Sequence, residues 1–481
     1  MEQANKNFSR FLEPFRSESG FDIPLIFIFI LINGLTLINA CLHDPKIGYD
    51  SVDHLAYIKT LAKLRLVTFA DSWEFFSPPL PYAFPALLIT ITRMKVHWAA
   101  KFGQFLNVFL SLGLTYYLLK ICQLISSEPS LKLGSLMFLG ILPVYYKSFA
   151  FVRGEPYVAF FVIIIIYYST VLFILERYNM TNAAILGITM GLCALSRQWG
   201  ILLFPAVFLF GGFQCIRYHR WRHTILWTLC LCLVLISLIA GWFYTHLYFK
   251  YGSFTKFNRK AAVRFSLSNQ PSEFYIGLSP GLLFNNPIRP NFPNQFFPIF
   301  YSELWGDYWG YFTLYGLDTS KQKHVNGINL VKIVSKGKRP SWLETNYDTI
   351  GAYLGRVNIV CIFPSVLALL AIVFACIRII KESSLKLQRE MNGLFLLAIL
   401  TSIAGYFWFL IMYPNIGKGD TIKATYLLQI YPIVAILVGK LLESIQKRTH
   451  FLFRLILCGI SLVFLHNIFA MVTHHSLYHL L

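Results

Sequence analysis

Charge is what this sequence has least of. Only 13% of its 481 residues are Asp, Glu, Lys or Arg, against about 25% in soluble domains. With 56% hydrophobic residues, 44 Phe and 27 Tyr and a mean hydropathy of +0.57, too little polar surface is left to face water. This excludes a soluble enzyme, a disordered scaffold and a nucleic-acid binder. The net charge of +20 therefore concerns topology and anionic head groups. Zinc-type spacing is missing too. The nine cysteines lie in or beside apolar runs, with no CxxC or Cys/His pattern, so neither a zinc site nor a disulfide framework is expected. There is no convincing internal repeat and no low-complexity tract. The interiors of the apolar runs are nearly free of charge, which argues against a transporter, where ionisable groups sit near the bilayer midplane.

Long apolar runs are what is present. A membrane helix needs about 20 mostly apolar residues, and eleven runs meet this: 22–41, 99–121, 131–149, 156–175, 181–197, 199–216, 224–247, 357–378, 391–413, 423–442 and 452–473. The reading is an all-α polytopic membrane protein. Loops rich in Lys and Arg at 217–223, 378–390 and 443–454 fall on the same side as the basic segment 1–21, which places the N-terminus in the cytoplasm and the C-terminus outside. The chain divides into a cytoplasmic segment 1–21, a membrane module 22–247 with an outer loop 42–98, a cap 248–356, and closing helices 357–481. The cap is too polar to span and too aromatic to be disordered.

The outer loops hold the candidate chemistry. Asp50, Asp53, His54 and Tyr57 are spaced i, i+3, i+4 and i+7 and would share one face of a helix. Downstream, Phe76-Ser77-Pro78-Pro79-Leu80-Pro81-Tyr82 reads as a rigid extended turn into an interfacial aromatic stretch. The acids could equally be first-turn carboxylates stabilised by a helix N-terminus.

Those residues are similar to the motifs of GT-C superfamily glycosyltransferases, in the aminoarabinose transferase and protein O-mannosyltransferase branch. That branch carries an acidic pair followed by Tyr in its first outer loop, then His-Pro-Pro-Leu. Here Asp53-His54-Leu55-Ala56-Tyr57 and Ser77-Pro78-Pro79-Leu80 stand in those places, with His54 for the second acid and Ser77 for the histidine. Arg153-Gly154-Glu155-Pro156 resembles the family's Arg-x-Glu/Asp-Pro string. Arg197 stands where relatives carry a basic residue, and Lys418 to Tyr426 resembles a basic-x-x-Tyr segment.

The resemblance implies a bundle of about 11 helices with two large extracytoplasmic loops. It implies transfer of a sugar from a polyprenyl-phosphate donor to a hydroxyl of a glycan, lipid or protein, with inversion. Such a step needs a base for the acceptor proton and cations for the departing phosphate. Asp53 is the expected base, with Asp50 its rival; Arg153, Arg197, Lys418 and Lys423 are the expected cations. His54, Tyr57, Tyr82, Glu155, Glu303, Trp305, Asp307 and Tyr426 complete the expected substrate site. Each has a plainer reading as an ion pair, a snorkelling span end or an interfacial aromatic belt. Oligosaccharyl-transferring members hold a divalent cation, but the single-sugar branch does not, so no metal and no cofactor are expected. The expected place is a bacterial plasma membrane, or the endoplasmic reticulum in a eukaryote, with the active face away from the cytoplasm. A transporter or flippase of a lipid-linked solute, and a non-catalytic GT-C-like subunit, are the alternatives.

Overall fold

The computed structural model describes residues 12–17, 20–313, 315–318, 323–326, 341–381, 386–416 and 419–473. Among them, nine helices are long and apolar enough to cross a membrane: Ile23–Leu42, Val96–Ile125, Glu155–Ile174, Gln198–Arg217, His219–Tyr251, Thr349–Lys381, Lys386–Met412, Ala424–Arg448 and His450–Met471. The two remaining expected spans are also helical but differ from simple rods. One is the pair Pro129–Gly140 and Pro143–Ala150, bent by 65°. Pro143 has no N–H to continue the ladder and its ring crowds the preceding turn, and the Tyr146 hydroxyl donates to the freed Gly140 carbonyl at 2.7 Å. The other is the 17-residue Met180–Ser196. Two short antiparallel ladders, Arg16–Ser17 with Gly20–Phe21 and Tyr315–Asp318 with Lys323–Asn326, are the extended elements described.

The two ends of the bundle are chemically distinct. At one end Lys132 donates to the Pro14 carbonyl, Ser126 to Glu443, Arg217 pairs with Glu390 and Lys386 with Glu176. The described parts of the basic loops collect here with residues 12–17. At the other end His43, just past the first span, bonds Thr473 after the last span at 2.6 Å, and the Thr473 N–H donates to Asn39. The first and last spans therefore run the same way, as an odd number of crossings requires.

Helix contact is closest between Pro129–Gly140 and the helix Tyr431–Arg448. A Cβ on Gly439 would strike Ser135 Oγ and lie 2.5 Å from the Leu131 carbonyl oxygen. Gly439→Val therefore overpacks this crossing and destabilises by about 1–3 kcal/mol. Gly212→Ala, with nothing within 4 Å of its Cβ position, leaves stability unchanged or improved. Thermal unfolding midpoints in detergent, compared side by side, check both.

Candidate functional site

A cavity of about 240 Å³ opens at the end of the bundle away from the basic loops. Its walls come from loops far apart in sequence. The 42–98 loop supplies Tyr49, Asp50, Glu74 and Phe76. The junction of the fifth and sixth expected spans supplies Arg197 and Trp199. The cap contributes Phe257, Asn258, Arg259, Arg289, Trp309 and Tyr311. Phe409, Tyr413, Asp420, Thr421, Lys423 and Tyr426 close the ring.

Local chemistry fixes each wall. Asp50 precedes the helix Ser51–Leu61 with φ 52° and ψ 27°, a left-handed conformation that Asp tolerates better than most side chains. That turn takes Asp50 off the helix face it was expected to share with Asp53, and sends its Oδ2 to Lys423 Nζ at 3.3 Å. Its side chain is still 46% exposed. The Lys423 ammonium lies 4.7 Å from the Tyr49 ring centre. Pro78 and Pro79 do not form an extended turn: Pro79 has φ −81° and ψ −14° and leads directly into the helix Leu80–Thr92, as proline suits a first helical turn. Ser77 donates to Glu74 Oε2 at 2.5 Å. The same oxygen accepts from Arg197 Nη1 at 2.8 Å, and that Nη1 also donates to Ser77 Oγ. Trp199, Phe257, Phe409 and Tyr426 form the apolar wall, with ring centres 4.5–5.6 Å from Trp199.

The cap is held over this floor by several ties. Gln270 donates to the Leu410 carbonyl at 2.7 Å and the Ala262 N–H to Met412 at 2.8 Å. Arg289 pairs with Asp420 at 3.2 Å and lies over the Trp309 ring. Trp309 Nε1–H donates to the Ile422 carbonyl. Behind the rim, Lys147 donates to the Glu303 and Gly306 carbonyls at 3.0 Å, and the Glu303 carboxylate lies 2.5 Å from its ammonium.

Four cations line the cavity, Arg197, Arg259, Arg289 and Lys423, against three carboxylates, Asp50, Glu74 and Asp420. Lys423, and after it Arg153, hold the Asp50 carboxyl well below the usual range. Burial pushes Glu74 up, but Arg197 and His54 outweigh it and keep this group low as well. Arg259 has no ion-pair partner among the described residues. No group of three or more His, Cys, Asp or Glu disposed to hold a metal occurs among them.

The expected site residues are only partly brought together. Asp50, Arg197, Lys423 and Tyr426 line the cavity. Arg153 and Glu155 lie just behind it as a buried two-point ion pair, both bonds 3.1 Å, with Arg197 Nε 3.4 Å from Glu155. Asp53, the expected base, does not line the cavity. It lies on the helix face turned toward residue 73, where its Oδ1 accepts the Trp73 N–H at 3.0 Å. His54, Tyr57 and Tyr82 form a buried stack beneath the floor, with His54 Nδ1 bonded to the Tyr82 hydroxyl at 2.8 Å and Tyr57 donating to the Ser77 carbonyl.

Glu303 is turned to Lys147. Asp307 accepts the N–H groups of Tyr311, Phe312 and Thr313 and so shapes that loop. Trp305 is buried and donates to Ser365. Neither it nor Trp309 forms an interfacial belt, since both are at most 2% exposed. Lys418 lies outside the described residues. Sequence reasoning missed Glu74, Arg259 and Arg289. A lone Glu three residues before Ser77 was the one available sign of the first.

Burial lowers His54 from 6.5 to about 4. In the unfolded chain this group takes up a proton near pH 6.5, so between pH 6.5 and 4 the unfolded state binds more protons. The stability it contributes is complete above pH 6.5 and falls as the pH drops toward 4. Thermal midpoints measured from pH 7 to pH 4 fall further for the wild type than for His54→Gln.

No family model matches the sequence, and no curated protein matches it. Among solved structures, the chain is similar to the archaeal oligosaccharyltransferase AglB from Archaeoglobus fulgidus in complex with an inhibitory peptide and a dolichol-phosphate. The TM-score is 0.49 with 11% identity over 94% of this chain, which spans only 56% of that protein's length. It is also similar to ArnT from Cupriavidus metallidurans bound to undecaprenyl phosphate, at TM-score 0.35 and 12% identity over 88% of this chain and 80% of that one. At these identities and scores neither alignment carries a residue across.

Proposed function

We propose that the chain is an inverting glycosyltransferase that moves one sugar from a polyprenyl-phosphate-linked donor to an acceptor hydroxyl. The observation that carries this reading is the placement of Asp50: an ionised, half-exposed carboxylate at a membrane-end cavity whose lining cations outnumber its carboxylates four to three. The acceptor hydroxyl hydrogen-bonds Asp50 and attacks the anomeric carbon. The new C–O bond forms on the face opposite the breaking bond to phosphate oxygen. The phosphate leaves with the electron pair, and the acceptor proton passes to Asp50 as the hydroxyl becomes acidic in the transition state. Arg197, Arg259 and Lys423 supply fixed positive charge for the phosphate. Arg153 holds Glu155, which in turn orients Arg197, so it is a positioning residue.

On this reading Asp50, and not Asp53, is the base. The reaction takes no cofactor, and the cavity opens away from the cytoplasm, in a bacterial plasma membrane or a eukaryotic endoplasmic reticulum. The acceptor is a glycan, lipid or protein bearing a free hydroxyl. The test uses purified protein in lipid vesicles with a panel of labelled polyprenyl-phosphate sugars. The expected result is release of free polyprenyl phosphate from one donor class, matched by sugar on an acceptor. Labelled lipid that crosses the bilayer intact would instead establish a transporter.

A further inference from the structure

An apolar groove lies at the opposite end of the bundle, lined by none of the cavity residues. The helices Met180–Ser196 and Arg222–Ile236 cross tightly in mid-membrane: a Cβ on Gly187 would lie 2.8 Å from Leu235 Cδ1 and 3.0 Å from Cys232 Cα. Toward the basic end they stay in contact, the Cys232 thiol 3.9 Å from the Ala183 carbonyl, and together border an apolar groove of about 360 Å³. Tyr178, Met180, Ala183, Trp227, Leu231 and Val234 line it. From Thr224 to Val234 the helix rises about 15 Å, half of a hydrocarbon core of about 30 Å. The groove is therefore one leaflet deep.

Its mouth is basic. Arg177, His219, Arg220, Arg222 and His223 are all exposed; among the described residues no carboxylate forms an ion pair within 4.0 Å of Arg177, Arg220 or Arg222, and Arg220 acts on Glu176 only from farther off. The nearby acids are already engaged. Glu176 is held by Lys386 at 2.7 Å and by the Trp221 indole N–H at 3.1 Å. Glu390 accepts from Gln214, Arg217 and Tyr218. Exposed cations that form no close ion pair among the described residues, at the head-group level above an acyl-sized groove, match both parts of a lipid bearing a negative phosphate head.

We propose that this groove docks one anionic phospholipid of the leaflet opposite the cavity, an acyl chain along the two helices and the phosphate among Arg177, Arg220 and Arg222. The proposal stands independently of the catalytic reading. A charged loop that only sets topology would attract such lipids diffusely and would not need the groove.

The test is native mass spectrometry of the full chain with phosphatidylglycerol and phosphatidylcholine of matched acyl chains. The wild type retains phosphatidylglycerol preferentially. Arg220→Gln/Arg222→Gln weakens that preference about 30-fold, the worth of two near-surface basic residues. Ala183→Phe fills the groove floor and abolishes retention with all five basic residues intact. Met180→Trp, at a rim position already 72% exposed, does the same from outside and covers the case in which Ala183→Phe does not fold. Equal retention of the two lipids by the wild type overturns the proposal. So does an undiminished preference in the arginine variant, or in a folded groove-filled variant.

Discussion

Asp50→Asn reduces release of polyprenyl phosphate by about 10²–10⁴-fold, while Asp53→Asn stays close to the wild-type rate. The two acids are three residues apart, yet their surroundings differ. Asp50 is in the left-handed region, a strained placement for a non-glycine residue that clusters at functional sites, and its carboxylate faces the cavity cations. Asp53 spends one oxygen on the Trp73 N–H, and the Ser72 hydroxyl binds its backbone carbonyl. Its loss loosens the 72–74 turn and lowers stability modestly. Initial rates normalised to folded protein, with thermal midpoints alongside, separate the two effects. A dead Asp53→Asn beside an active, folded Asp50→Asn returns the base to the helix and refutes the assignment.

Arg197→Met is the most destabilising single change expected at the site, by about 3–5 kcal/mol. Arg197 is 3% exposed and answers two carboxylates, Glu74 and Glu155, that are equally buried. Removing it leaves Glu74 with the Ser77 hydroxyl and Glu155 with Arg153 alone. Because the penalty comes from unpaired buried charge, Arg197→Met/Glu74→Gln recovers part of the lost stability, and detergent-phase unfolding of the two variants measures this. Arg259 gives the contrast. It is half-buried at the cavity wall and has no ion-pair partner among the described residues, so Arg259→Gln leaves the unfolding midpoint where it is and weakens donor binding instead. A stable Arg197→Met would mean that water reaches Glu74 and Glu155.

The architecture was legible because the bilayer imposes a length and a composition on each crossing. All eleven expected runs have helical counterparts, and Pro143 explains why one of them is broken. The common sidedness of Asp50, Arg197 and Lys423 was legible for the same reason, since it follows from counting spans. Periodicity failed at Asp50: a spacing of three residues implies a shared face only when both residues are in the helix, and a single left-handed residue removes one of them. It failed again in the cap. Arg289 reaches the cavity through irregular backbone, and Asp307, which looks like a ligand for hydroxyls, is used up by three backbone N–H groups. Arg153 and Glu155 were visible as a motif, but only the fold shows that they stand one layer behind the cavity and act through Arg197.

The most direct test of the central claim is where a lipid phosphate binds. A polyprenyl phosphate analogue carrying a photoreactive group beside its phosphate would be crosslinked to the purified protein and the labelled peptides sequenced. Labels on residues 49–50, 197–199, 257–259 or 420–426, competed by unlabelled polyprenyl phosphate, are the predicted result. Competed labels confined to the basic end, with none at the cavity, would contradict it.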